Sequence, residues 1–409
     1  MLDNTGTRQL AYVVTIDKIL PIDGADRVEQ AVVGGWHIMT RKGQFKPGDA
    51  AIYFEIDSKV PETEPFAFLE PKHYKVKTQK YFKGTVISQG LLMSAEDFDW
   101  QVQVEPLGGV RTEVIIDDEG KAHYPNDESR FLTEKLGVKY AVDEDNVRKA
   151  ASADKYKKMA QRHGKLFAKQ PFCWLMKRMW GKKLLFIFFG KKKDKTGWPA
   201  WVQKTDEERV QNMPWILEDK NEWIATEKID GTSTTFTIKR GKSFKKNDFY
   251  VCSRNVVFDK PDKKCFYETN VYTEMAEKYN MEDVLTVLLK MFPCAEWITI
   301  QGETYGAGVQ KRDYSMKNHD FMAFNLIMSH TGRWNTVDMK EMLDHFHIPC
   351  VPILDEHFIL PDTVDELLTY ATGTSKVDGG MREGIVFRYK DGSKSFKAVS
   401  NEFLLKYHQ

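Results

Sequence analysis

Ala225-Thr226-Glu227-Lys228-Ile229-Asp230-Gly231, reading ATEKIDG, sets a lysine among carboxylates where an alternating run ends in Asp-Gly. EWIATEK reads as a strand, Asp230-Gly231 as a turn and TSTTFTIK as the returning strand of a hairpin. Two chemistries fit: a solvated, salt-bridged strand end, or a nucleophile on a rigid mount. A lysine near its unperturbed pKa of roughly 10.4 is protonated and inert. Desolvation or nearby positive charge, from a metal ion or other cations, has to activate it. The nucleophilic reading therefore requires more cations at the same site.

Working outward, several strands end in charged residues. Ser253-Arg254-Asn255 follows DFYVC, Gln301-Gly302-Glu303 closes EWITI, and DFMAFNLI carries Phe321 and Phe324. Arg382-Glu383-Gly384-Ile385-Val386-Phe387 opens another strand, and Lys394-Ser395-Phe396-Lys397 lies near the end of the chain. VYTEMAEKYN, MEDVLTVLLKMF, VDMKEMLDHF and VDELLTYATG have helical periodicity. Strands and helices do not alternate one for one, and GETYGAG has neither the GxGxxG nor the GxxxxGK[ST] spacing. This excludes Rossmann and P-loop folds and indicates an α+β domain over 198–409.

The 409 residues suit two or three domains, and 42% hydrophobic with 29% charged residues describes an ordinary globular chain. Residues 8–97 are β-rich: RQLAYVVTIDKIL alternates, Gly34-Gly35 precedes WHIMTRKG, and Lys46-Pro47-Gly48-Asp49 turns into AAIYFEIDSKVP. A small barrel is expected over 1–97, with a linker or insert over 98–197. The net charge of +1 hides segregation, because residues 148–195 hold sixteen Lys/Arg against Asp154 and Asp194. A basic helix is expected over 144–170, serving either as a solvated connector or as a phosphate contact. The most apolar stretch, FCWLMKRMWGKKLLFIFFG (172–190), is interrupted by Lys177, Arg178, Lys182 and Lys183, so no membrane span is expected. Five cysteines without a CxxC pair suggest reduced thiols and a cytoplasmic setting.

In order, the charged segments from Lys228 to Lys397 resemble motifs I, Ia, III, IIIa, IV and V of the covalent nucleotidyltransferases, the polynucleotide ligases and mRNA capping enzymes. TDEERVQN (205–212), REGIVFR and SFKAVSNEFLLK are most similar to ATP-dependent RNA ligases. Twelve residues follow Lys397, so the C-terminal OB domain of DNA ligases and capping enzymes is not expected. The module at 1–97 instead resembles the N-terminal OB domain of an RNA ligase branch that seals 3′-OH and 5′-phosphate ends, typically at nicks. The resemblance implies an OB-like β-barrel followed by an ATP-grasp-like adenylyltransferase domain, acting as a monomer in RNA repair.

It also implies roles. Lys228 attacks ATP and carries AMP, and Lys397 clamps the α-phosphate. Arg254 binds phosphate or ribose, Glu303 the ribose, and Phe324 stacks on adenine, with Phe321 as its rival. Thr226 and Glu227 present backbone to the adenine edge, and Asp230 and Glu383 serve Mg²⁺ or Mn²⁺. Many RNA ligases have Lys-x-Lys in motif V, whereas position 395 is serine and Lys394 is one residue out of register. A DNA ligase, a GTP-using guanylyltransferase and a non-catalytic RNA-binding protein are the competing classes.

Overall fold

A computed structural model describes residues 1–107, 110–141, 163–189, 198–241, 246–254, 257–258 and 270–407, together with 156, 159 and 160. The alternating N-terminal runs become an antiparallel sheet in which Ala50–Phe54 lies between Ala11–Thr15 and Leu91–Met93. Val28–Val33 and Trp36–Arg41 form a hairpin across Gly34-Gly35, with Lys18–Leu20 at its edge. Both faces of the central strands are buried. Val13, Ile52 and Phe54 face one apolar cluster, and Tyr12, Tyr53 and Trp36 face another.

This core runs past the expected boundary at 97. Trp100, Ile115, Leu132 and Val138 pack into the cluster of Val13 and Phe54. The Leu132 N–H donates to Ala11 O at 2.9 Å. The region looked like a linker because one of its two seven-residue strands, Gln101–Leu107, has no buried face and so no period-2 pattern. The basic helix expected over 144–170 lies largely outside the described residues. Beyond it, Phe172–Met176 and Met179–Phe189 are helical. No helix among the described residues is long and apolar enough to cross a membrane.

The C-terminal domain has two sheets. Its longer strands are β1 (Glu222–Lys228), β2 (Thr232–Lys239), β3 (Asp248–Cys252), β4 (Trp297–Gly306), β5 (His319–Met328), β6 (Ile353–Ile359), β7 (Gly384–Tyr389) and β8 (Ser395–Val399). One sheet runs β6-β1-β7-β8; the other contains β3-β2-β4-β5. β1 and β2 therefore do not pair, and the expected hairpin is absent. Asp230-Gly231 is a corner where the chain leaves one sheet for the other. The corner is tight, because a Cβ on Gly231 would sit 2.3 Å from Thr304 O.

Helix Met281–Met291 buries Met281, Val284, Leu285, Leu288 and Leu289, the i, i+3, i+4, i+7, i+8 stripe of a core-facing helix. That stripe packs on Phe236, Ile298, Ile300 and Phe321 of the second sheet. Behind the first sheet, Trp223, Ala225, Ile385, Phe387 and Phe396 form a separate core with Leu367 and Leu368. Each sheet thus has one face against its own core, and a cavity lies between the other faces.

Candidate active site

Alternation along the first sheet lays out half of the site. Cross-strand partners form three successive rows facing away from the core: Lys228–Gly384–Val399, Thr226–Val386–Lys397 and Ile224–Arg388–Ser395. Lys228 and Lys397 therefore lie on one face, one row apart. The second sheet supplies the opposing wall. Ser233 pairs with Glu303, and β5 carries a bulge in which Gln301 faces Asn325 and Gly302 faces Ala323. Phe324 is the extra residue. A bulge re-aims a side chain, so Phe324 lines the cavity while Phe321 stays in the core, 5.2 Å from the Phe236 ring.

All nine residues singled out from the sequence line one cavity of about 350 Å³: Thr226, Glu227, Lys228, Asp230, Arg254, Glu303, Phe324, Glu383 and Lys397. Lys228 Nζ donates to Glu383 Oε2 at 2.7 Å. Burial alone would depress this ammonium, but Glu383, Glu303 and Asp230 together hold it above the ordinary lysine range. The sequence led us to expect a lysine activated by cations; the folded site instead holds it charged among carboxylates. Those carboxylates are themselves strained. Burial, then the Glu383 charge, pushes Asp230 up to about 7. Burial, offset in part by Lys228, pushes Glu303 up to about 8.

Lys397 shows the opposite environment. Burial, followed by the charges of Lys228 and Arg209, lowers it to about 8. Its Nζ makes no hydrogen bond among the described residues, while its backbone N–H donates to Glu208 O at 2.7 Å. Arg254 is half exposed and its Nε donates to Asp206 Oδ2 at 3.1 Å, so its guanidinium is already engaged. The Glu227 carboxylate points behind the sheet, where Ser375 Oγ and the Lys376 N–H (2.7 Å) donate to it. Its backbone N–H is donated to Pro352 O at 2.9 Å, which leaves that group committed to the fold. The Asp230 N–H is held by Tyr314 Oη at 2.7 Å, fixing the corner after Lys228.

Arg388 was not singled out in the sequence. It is buried, lines the cavity, donates to Thr226 Oγ1 at 3.1 Å and lies 5.6 Å from the Phe324 ring centroid. It faces Ser395 directly across the ladder, and Glu207 accepts from both residues. Lys394 turns away to Asp219, at 2.9 Å, and does not line the cavity. Beside Lys397, the first sheet thus brings Arg388 of β7 to the cavity, not Lys394. A lysine at 395 would have stood opposite Arg388, a like-charge pair that cross-strand packing disfavours. Period-2 alternation from Val386 was the signal that would have placed Arg388 on the site face.

The donor set suits a hard divalent ion. Asp230, Glu303 and Glu383 converge on Lys228 under mutual repulsion, which a cation would relieve. Among the described residues no three such groups come close enough to cage a metal unaided.

Comparison with known families matches residues 221–408 to the RNA ligase family and residues 10–95 to an OB-fold domain. Among solved structures, a substituted Naegleria gruberi RNA ligase with ATP and Mn is 25% identical, covers 98% of each chain and has a TM-score of 0.58. The Naegleria gruberi RNA ligase with PPi is 25% identical, covering 98% of this chain and 99% of its own at a TM-score of 0.56. Another substituted form, with AMP and Mn, is 24% identical, with coverage of 98% and 99% and a TM-score of 0.59. Comparison with curated proteins gave no match.

Proposed function

We propose, from the match of residues 221–408 to the RNA ligase family, that this chain joins RNA 3′-OH and 5′-phosphate ends using ATP. The reaction proceeds through AMP bound to Lys228. The observation that carries this reading is the convergence of Lys228, Glu303, Phe324, Glu383 and Lys397 on one cavity from five separate segments.

The neutral Lys228 amine forms a bond to the α-phosphorus of ATP and gives up one N–H proton to solvent, the bond to the β-phosphate oxygen breaks, and pyrophosphate leaves with the electron pair. Lys397, in its ammonium form, sits on the same sheet face and balances charge on the α-phosphate, the electrostatic aid that phosphoryl transfer needs most. Phe324 offers a π-face to adenine, and Arg388 closes the pocket behind it. Glu303, whose carboxyl burial pushes up to about 8, hydrogen-bonds a ribose hydroxyl. Asp230 and Glu383 would hold Mg²⁺ or Mn²⁺, which would supply positive charge beside the Lys228–Glu383 pair. A 5′-phosphate oxygen of RNA then attacks the bound α-phosphorus, breaking the P–N bond and restoring the amine. Finally the 3′-OH attacks the 5′-phosphorus, expelling AMP and losing its proton. The N-terminal domain presents the ends at a nick in a duplex, and the chain works as a monomer.

The test incubates the protein with Mg²⁺ and α-labelled ATP or GTP, then separates it under denaturing conditions. Label from ATP that Lys228→Ala abolishes supports the ligase. Label from GTP alone would indicate a capping-type enzyme, and none from either would leave an RNA-binding scaffold. Sealing of nicked RNA against nicked DNA then identifies the strand.

A further inference from the structure

Where the two domains meet, a second cavity of about 340 Å³ is lined by Asp57, Lys77, Thr78 and Lys80 from the N-terminal domain and by Arg209 and Leu404 from the C-terminal domain. Three cations face one carboxylate. The border is firmly packed: Lys80 Nζ donates to Leu405 O at 2.6 Å, the Leu2 N–H to Asn212 O at 2.9 Å, and Ile87 packs on Val399 and Leu404.

Arg209 joins this cavity to the catalytic one, since it forms a backbone bridge with Lys397. Its guanidinium lies 5.7 Å from the Trp36 ring centroid of the other domain. Its Nη1 is shut off from solvent and has no hydrogen-bond partner among the described residues. An unsatisfied buried donor is costly, more so when charged, and an anionic acceptor that reached it would remove that cost. Burial lowers the pKa of Arg209, and burial followed by the Lys311 charge lowers that of Lys80.

We propose that this interdomain cavity is a phosphate site for the polynucleotide strand, holding a backbone phosphate of the RNA whose end lies at Lys228 and Lys397. The inference rests on the RNA ligase reading of the catalytic cavity. The arginine fork matches phosphate geometry, and the two lysines act as point charges beside it. The terminal phosphates of ATP offer the same chemistry. Position favours RNA: two of the three cations belong to the N-terminal domain, whereas the catalytic cavity is lined wholly by residues from Thr205 to Lys397. A strand crossing the border would touch both domains while its end was sealed.

The test compares Lys77→Glu and Lys77→Arg in the full chain, because Lys77 is exposed and its replacement leaves the packed border intact. Three quantities are measured: the rate and KM for AMP attachment, the nicked-RNA concentration that half-saturates AMP transfer, and the salt dependence of RNA binding. AMP attachment should stay within about twofold, while Lys77→Glu raises half-saturating RNA roughly tenfold and flattens the log–log salt slope by about 1. Lys77→Arg should restore both. Unchanged RNA saturation in Lys77→Glu would overturn the proposal. A raised KM for ATP with normal RNA saturation would overturn it too, assigning the cavity to ATP phosphates. If the unaltered protein takes up no AMP, the catalytic reading fails instead. RNA affinity by fluorescence anisotropy, on the same variants, then decides the cavity separately.

Discussion

Lys397→Arg separates the charge of the phosphate clamp from its titration. Burial and two neighbouring cations lower Lys397 to about 8, so its ammonium is present below that pH and lost above it. Arginine in its place remains charged throughout. Because kcat/KM reports ionisations of the free enzyme, the variant-to-natural ratio should track the inverse of the charged fraction of Lys397. That fraction falls from about one half at pH 8 to about one tenth at pH 9, so the ratio rises about fivefold over that interval. Lys397→Met should show the same relative rise from a level about 10²- to 10³-fold lower, the loss typical of a preorganised donor to a developing anion. Single-turnover AMP attachment with subsaturating ATP, from pH 6.5 to 9.5, gives the measurement. Parallel profiles for the natural protein and Lys397→Arg above pH 8 would refute the assignment of Lys397 as a titrating α-phosphate clamp.

Three further substitutions test separate parts of the site. Tyr314→Phe removes the acceptor of the Asp230 N–H; it should cost about 1–3 kcal/mol in denaturant unfolding and slow AMP attachment. An unchanged midpoint and rate would show that the corner does not need that bond. Phe324→Ala should raise KM for ATP about tenfold, as expected for a stacking contact worth about 1–3 kcal/mol, with a smaller change in kcat. A fall in stability without a change in KM would return Phe324 to a packing role. Gly302→Ala should destabilise the domain by about 1–3 kcal/mol through overpacking, since its Cβ would lie 2.3 Å from both Met322 O and the Phe321 ring. Normal thermal unfolding of that variant would contradict the tight β4–β5 contact.

The strands that carry the chemistry were legible because each combines an alternating run with a charged terminus. EWIATEK, EWITIQGE and REGIVFRYK all fold as read. What escaped was pairing. ATEKIDGTSTTF has hairpin periodicity on either side of Asp-Gly, yet long-range partners, β7 for β1 and β4 for β2, win over the local turn. β6 was missed because Glu356 and His357 interrupt its apolar pattern at an exposed edge. Arg388 was overlooked for a related reason: its place across from Ser395 is a property of register, which a single strand does not display. The electrostatics were the least legible. Spacing indicated cations around Lys228, but folding brings three carboxylates from three segments nearer in effect than any of them. The interdomain border lies wholly beyond sequence reading, since Lys80 and Leu405 are 325 residues apart.

The account stands on a phosphorus–nitrogen bond at one side chain. Intact-mass and peptide analysis of the protein after incubation with ATP and Mn²⁺ tests it most directly. One AMP should be found on the peptide containing Lys228, released by acid and by pyrophosphate, and absent from Lys228→Ala. AMP on any other residue, or its persistence in that variant, would contradict the account.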